Sequence, residues 1–216
     1  MCVEFKQVIT GINLRPKMGA FGYSSVTLLT DGKENILFDT GAYGVRSIIS
    51  RIISEYEVNT VFISHCHFDH CSNLDLFKGR NIYINRIEYE NLCTNNSDHD
   101  LYKPLLLQFR ESELTLFDSN QELSDHIQIK LTYGHTIGHS SLEFYSQDLR
   151  VLVAGDAIKS VKDYLDVDGF GNAQNRLMHL QTKQKIRNEY DIIIPGHSTM
   201  FRRDCLCESV SILDRF

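Results

Sequence analysis

The chain has 216 residues, 42% of them hydrophobic, and a formal net charge of −6, which suits one domain over 1–216. An acidic balance does not favour nucleic acid as a partner, although a local basic patch stays open. No segment approaches the ~20 apolar residues of a membrane span, and the N-terminal MCVEFKQVIT does not resemble a signal peptide. Six cysteines form no obvious disulfide framework, so we expect reduced thiols and a cytoplasmic protein.

The first part of the chain predicts strands around an amphipathic helix. VTLLT (26–30) and NILFD (35–39) flank the turn DGKE, which predicts a β-hairpin. The apolar residues of 45–56 recur at i, i+3 and i+4, as they do on one face of a helix. VNTVFIS (58–64) predicts a buried strand that leads directly into SHCHFDHC, and NIYIN (81–85) predicts the next strand.

The second part of the chain continues the alternation of strands and helices. Residues 86–118 are mixed, with helical patches and the polar stretch TNNSDHD. After them we predict strands at 126–133, 142–146, 149–155 and 191–197, and a helix at 176–190.

One pattern occurs twice along the chain. An apolar strand ends in an acidic turn at ILFDTG (36–41) and at VLVAGD (151–156), and an apolar strand ends at a histidine in TVFISH (60–65) and in DIIIPGH (191–197). Helical segments separate the members of each pair. The repetition predicts two related β–α halves with helices outside, whose polar loops meet at one edge.

The strand ends and their loops offer a set of metal ligands. His65 and His67 are two residues apart, so an extended chain points both side chains the same way. Imidazole and carboxylate suit zinc, and also iron or manganese. Seven ligands exceed the needs of one tetrahedral ion and fit two ions that share a bridging group. The candidates are His65, His67, Asp69, His70, His135, Asp156 and His197.

The order and spacing of these residues resemble the metallo-β-lactamase fold superfamily. The signature His65-x-His67-x-Asp69-His70 is followed by His135, Asp156 and His197 in that order, over nearly the whole chain. The resemblance implies an α/β protein with an αβ/βα four-layer sandwich, which agrees with the two predicted halves.

The resemblance also implies a role for each ligand. By matching position, His65, His67 and His135 would bind the first metal ion. Asp69, His70 and His197 would bind the second ion, and Asp156 would bridge both. Asp39, in FDTG, matches a position that supports the site from behind the ligands. We interpret His139 as a core residue and not as a ligand.

The implied activity is hydrolysis. Two divalent ions, most often zinc in such a site, with iron or manganese also open, would hold a bridging hydroxide that attacks the substrate. Asp69 is the predicted catalytic residue, because its carboxylate can also orient the nucleophile. The stretch HFDH (67–70) followed by INRIEYE (84–90) is similar to the N-acyl homoserine lactonases, and the site with TYGHTIGH (132–139) resembles the glyoxalase II catalytic domain. A small-molecule acyl substrate, which is a lactone, ester or thioester, is therefore our first hypothesis.

Two other functions stay open. The same two ions would serve a phosphodiesterase or nuclease, for which a basic strip beside the site would be evidence. A metal-binding protein without turnover would be expected to lack a ligand. For substrate contacts we consider Lys159, where the lactonases usually have tyrosine, and also Phe21 and Tyr23 in the loop 15–24. This loop, with 86–118 and 157–175, is expected to set specificity. The oligomeric state is not predicted.

Overall fold

Two six-stranded sheets organise the computed structural model, which describes residues 3–14, 21–94, 109–169 and 171–206. The first sheet contains, in spatial order, β1 (Glu4–Ile9), β4 (Val26–Thr30), β5 (Asn35–Phe38), β6 (Thr60–Ile63), β7 (Asn81–Asn85) and β8 (Thr115–Phe117). The second contains β14 (Phe201–Arg202), β13 (Ile192–Pro195), β12 (Leu149–Gly155), β11 (Ser140–Ser146), β10 (Ile127–Leu131) and β9 (Gln121–Ser124). A separate hairpin pairs β2 (Ile12–Leu14) with β3 (Phe21–Tyr23).

The helices lie between and after these strands. They are α1 (Arg46–Glu55), α2 (Phe68–Cys71), α3 (Arg86–Thr94), α4 (Val161–Leu165) and α5 (Arg176–Glu189), with short 3-10 turns at 43–45, 74–77, 111–113 and 203–205. The side chain of Asn175 caps α5 by accepting a hydrogen bond from the Met178 amide at 3.1 Å. Within the described ranges, no helix has both the length and the apolar character that crossing a membrane requires.

Three apolar clusters lie between the four layers of the fold and hold them together. Helix α1 packs Ile49, Ile52 and Ile53 onto one face of the first sheet, against residues such as Val61 and Ile63. The alternate residues of the two sheets meet between them, including Phe38, Phe62, Ile129, Phe144 and Val153. The far face of the second sheet contacts α4 and α5 through Leu152, Ile193, Tyr164 and Ile186. The predicted αβ/βα sandwich is confirmed.

The predicted repeat corresponds to two pairs of parallel strands. Strand β5 pairs with β6 in parallel, and α1 connects them. Strand β12 pairs with β13 in parallel, and α5 lies in the connection. Because parallel neighbours end at the same edge of a sheet, each acidic turn lies beside a histidine-bearing strand end.

The structure also contains strands that the sequence interpretation missed. Strand β1 pairs antiparallel with β4, but its register shifts between Gln7 and Ile9. This bulge breaks the alternation of buried and exposed residues that predicts a strand. Hairpin β2–β3 was missed because its strands have only three residues each. Residues 15–20 of the predicted specificity loop and residues 95–108 of the segment 86–118 lie outside the described part of the chain.

Candidate metal centre

The candidate ligands converge at the edge where the strand ends meet. Strand β6 ends at Ile63 and delivers His65, and the extended backbone at His67 leads into α2, which carries Asp69 and His70. On the second sheet, Asp156 directly follows β12. His135 follows β10 and His197 follows β13. All seven predicted ligands therefore lie at one site.

Three histidines form a first ligand group, which we define as His65, His67 and His135. His67 Nδ1 lies 2.9 Å from His65 Nε2 and 3.1 Å from His135 Nε2. Three ring nitrogens are thus directed at one point, where these three residues could hold a metal ion. In a tetrahedral zinc site with Zn–N bonds of about 2.0–2.1 Å, ligand nitrogens are about 3.3 Å apart, so the spacing is close to that of a zinc site.

A second ligand group, defined as Asp69, His70 and His197, lies beside the first and could also hold an ion. Asp69 Oδ2 is 3.5 Å from His197 Nε2 and 4.0 Å from His70 Nε2. The carboxylate of Asp156 lies between the two groups. Its Oδ2 is 3.2 Å from His135 Nε2 in the first group, and its Oδ1 is 3.3 Å from His70 Nε2 and 3.1 Å from His197 Nε2 in the second.

Two of these atoms fit a bound cation better than any partner within the protein. His70 Nε2 and Asp156 Oδ1 are both buried, and their contacts of 3.1–3.3 Å with each other and with His197 Nε2 do not have hydrogen-bond geometry. Unsatisfied buried polar atoms are costly and uncommon in native proteins. A divalent ion would satisfy both, and a donor set of imidazole nitrogens and carboxylate oxygens is the one that zinc, iron and manganese accept.

Asp39 orients one histidine from each ligand group. Its Oδ2 accepts hydrogen bonds from His70 Nδ1 at 2.7 Å and from Ser64 Oγ at 2.8 Å, and its Oδ1 accepts one from the Ser64 amide at 2.8 Å. Because the Ser64 hydroxyl donates to Asp39, it can accept from His65 Nδ1, which lies 3.0 Å away. Both Nδ1 atoms therefore carry hydrogen, and both Nε2 atoms point toward the site. Burial would lower the pKa of His70, but the carboxylates of Asp39, Asp156 and Asp69 raise it well above its usual value, so a metal ion would displace the proton on Nε2.

His139 supports the backbone of Asp156. Its Nε2 accepts a hydrogen bond from the Asp156 amide at 3.1 Å, so the neutral ring carries its proton on Nδ1, which donates to Thr132 Oγ1 at 2.9 Å. Burial lowers the pKa of His139 to about 3, which keeps the ring neutral. The residue is thus buried, as predicted, and it also positions Asp156.

Burial and neighbouring charges set the protonation of the ligands. Burial holds the pKa of His65 and of His135 well below the usual value, so both rings are neutral and able to bind a metal. Burial alone would raise the pKa of Asp156, but the surrounding histidines, His197 first, hold that pKa well below its usual range. The side chain of Asp156 is therefore an ionised carboxylate.

Five of the seven candidate ligands line an open cleft of about 260 Å³, namely His67, Asp69, His135, Asp156 and His197. Lys159 lies on its wall with the Nζ atom 3.4 Å from Asp156 Oδ2, and its side chain is 19% exposed. Gly22 of the β2–β3 hairpin also lines the cleft. Tyr23 packs its side chain against the first apolar cluster, and its carbonyl oxygen accepts from His197 Nδ1 at 3.2 Å. The side chain of Phe21 lies outside the described residues.

Comparison with known proteins identifies the family. Residues 19–197 match the sequence model of the metallo-beta-lactamase superfamily. A probable metallo-hydrolase of Methanocaldococcus jannaschii is 27% identical over 197 residues, which cover 84% of this chain and 91% of that protein. An N-acyl homoserine lactonase of a Bacillus species is 26% identical over 149 residues, which cover 67% of this chain and 58% of the lactonase.

Solved structures share the fold. A Thermotoga maritima protein named for the metallo-beta-lactamase family superimposes with a TM-score of 0.73 at 20% identity, over 94% of this chain and 100% of the other. An N-acyl homoserine lactone hydrolase with N-hexanoyl-L-homoserine at its metal centre gives 0.72 at 19% identity, over 91% and 92% of the two chains. The chain belongs to the metallo-beta-lactamase superfamily and is a metal-dependent hydrolase of that superfamily.

Proposed function

We propose that the chain is a dinuclear hydrolase that opens or cleaves an acyl substrate, namely a lactone, ester or thioester. The position of Asp156 carries this proposal. Its two oxygen atoms face two different ligand groups at 3.1–3.3 Å, as expected of a carboxylate that bridges two ions. Zinc suits the donor set best, and iron or manganese would also fit.

The residues around the cleft would have distinct roles in catalysis. Two bound divalent ions would lower the pKa of a shared water and polarise the bond under attack. Asp69, which lines the cleft and is 14% exposed, would accept a hydrogen bond from the attacking water and orient it. Lys159 would donate a hydrogen bond to the charge that develops on the acyl oxygen, or to an anionic group of the substrate.

The acyl class is favoured by similarity and by the charges beside the cleft. Two of the similar proteins act on N-acyl homoserine lactones. A phosphodiesterase would be supported by a basic strip along the cleft. In the adjoining cavity, Lys159 and Lys162 are instead accompanied by Asp163 and Asp166, so the described residues form no such strip there. A binding protein without turnover is disfavoured, because the ligand set is complete.

Replacement of the bridging carboxylate tests the proposal. We expect Asp156→Ala to abolish hydrolysis and to reduce the bound metal below two ions per chain, because both ligand groups lose their shared oxygen ligand. The exposed carboxylate of Asp125, which pairs with Lys33 on the surface, offers a matched control. The Asp125→Ala variant should keep the metal content and the turnover of the unmodified chain.

The fold must survive for the comparison to be informative. Far-ultraviolet circular dichroism and a cooperative unfolding transition should be similar for the Asp156→Ala chain and the parent chain. If Asp156→Ala retained two ions and full turnover, Asp156 would not be the bridge and the proposed mechanism would fail.

A further inference from the structure

Glu88 is a buried carboxylate that no role described above uses. It lies in the first turn of α3 and is 4% exposed. Burial raises the pKa of its carboxyl group, so its position in the interior has an electrostatic cost unless hydrogen bonds offset it. Its neighbours are therefore expected to be donors.

Two backbone amides that donate to Glu88 come from the two loops of the first ligand group. Oε2 accepts a hydrogen bond from the Cys66 amide at 3.1 Å, and Cys66 stands between His65 and His67. Oε1 accepts one from the Gly138 amide at 2.9 Å, and Gly138 lies three residues after His135. One carboxylate thus joins a loop of the first sheet to a loop of the second.

The packing around Gly138 supports a close and defined contact. A Cβ atom at this position would lie 2.8 Å from both the backbone nitrogen and Cγ of Glu88, and 2.9 Å from Oδ1 of Asn85. Asn85 Oδ1 in turn accepts from the Ile87 amide at 2.8 Å at the start of α3. The loop after His135 therefore lies directly on the first turn of α3, and only glycine fits at this approach.

We propose that Glu88 is a positioning residue that sets the distance between the His65–His67 loop and the His135 loop, and thereby the affinity of the first ligand group for its metal ion. The inference rests on the proposed metal site. Glu88 would contact neither metal nor substrate, and its replacement should weaken metal binding at the first ligand group only. Asp69, His70 and His197 have no hydrogen bond to Glu88 among the described contacts, so the second ligand group should be unaffected.

Two single substitutions allow zinc binding at each ligand group to be measured separately. His197→Ala removes a ligand of the second group and His135→Ala removes one of the first, so each background isolates zinc binding at the other group. Glu88→Gln is added to both, and the zinc affinity is measured by competition with a chromophoric chelator. A glutamine has one carbonyl oxygen, so its NH₂ group would face one of the two amide donors.

We expect Glu88→Gln to weaken zinc binding at least tenfold in the His197→Ala background, in line with other residues that orient metal ligands. In the His135→Ala background the change should be less than threefold. Glu143→Gln provides the matched control, since Glu143 is also a buried carboxylate, 6% exposed, and accepts from Tyr190 Oη at 2.6 Å, away from the ligands. It should leave zinc affinity unchanged in both backgrounds.

Equal losses in the two backgrounds, or a loss with Glu143→Gln as large as with Glu88→Gln, would overturn the inference. If Glu88→Gln does not fold, Glu88→Asp replaces it, because aspartate keeps the charge but is one methylene too short to reach both amides. Zinc affinity equal to that of the parent in the His197→Ala background would then reject the positioning role. An unmodified chain that binds no zinc would reject the proposed function together with this inference.

Discussion

A single buried carboxylate determines which ring nitrogens of His65 and His70 face the candidate metal site. Asp39 has a positive φ of 61°, a conformation that non-glycine residues seldom adopt outside special sites. The strained backbone places its two oxygens on Ser64 and His70 at once. The hydrogen bonds hold Nδ1 of both His65 and His70 away from the site and direct both Nε2 atoms toward it, which is the orientation that metal binding requires.

Lys159 is the side chain whose replacement should report on the substrate. A hydrogen bond to a charged group contributes about 1.5–3 kcal/mol, so we expect Lys159→Ala to lower kcat/KM for an accepted acyl substrate roughly ten- to a hundredfold. The Asp156 carboxylate stays between the ligand groups, so metal content should not change. Steady-state kinetics and metal analysis of the same preparation measure both quantities.

The neighbouring Lys162 is the control for this prediction. It is exposed and lines the adjoining cavity, so Lys162→Ala removes the same charge at a greater distance from the ligands. Its kcat/KM should stay within about twofold of the parent, because an exposed charge in water is well screened. Equal effects of the two substitutions would mean that Lys159 acts only through general electrostatics.

At the scale of secondary-structure elements, the sequence was most informative where a buried strand ends in a polar residue. The positions of Asp156 and His197 after β12 and β13 could be predicted, because a short apolar run that ends in a polar residue can be recognised in the amino-acid sequence alone. The hydrogen bonds by which Ser64, Glu88 and His139 position the candidate ligands could not be predicted from the sequence. Glu88 stands in INRIEYE like an exposed helix residue, and only the tertiary fold buries it. Strand β1 was missed because its bulge interrupts the alternation.

The segment around α4 is held by a buried lysine. Lys183 of α5 is fully buried, and its Nζ donates to Asp163 Oδ1 at 2.7 Å and to the carbonyls of Asp166 and Gly169 at 3.0 and 2.8 Å. The other oxygen of Asp163 accepts from the Lys159 amide at 2.9 Å. This network fixes the wall of the cleft that carries Lys159.

Removal of the lysine should therefore destabilise the protein. Breaking a buried ion pair by removing one partner costs about 3–5 kcal/mol, and since Asp163 is partly exposed at 19% we expect about 3 kcal/mol for Lys183→Met. Urea unfolding measures the free energy. Lys185→Met, on the exposed side of the same helix, should change it by less than about 0.5 kcal/mol. A loss below 1 kcal/mol for Lys183→Met would show that the network does not hold the segment.

Over the whole molecule, each ligand group joins the two halves of the sandwich. In the first ligand group, His65 and His67 come from the half with the first sheet and His135 comes from the half with the second sheet. In the second ligand group, Asp69 and His70 come from the half with the first sheet and His197 comes from the half with the second sheet. Metal binding would thus be coupled to the contact between the halves. The location of the site at the shared edge follows from the repeated parallel strand pairs.

The most direct test of the central claim is the metal content of the untagged protein by mass spectrometry, with parallel assays on a lactone, a thioester and bis-p-nitrophenyl phosphate. We predict about two divalent ions per chain and turnover of acyl substrates only. Turnover of the phosphodiester alone would contradict the acyl assignment and favour the phosphodiesterase. A chain that remains free of metal when zinc, iron and manganese are supplied would contradict the dinuclear site itself.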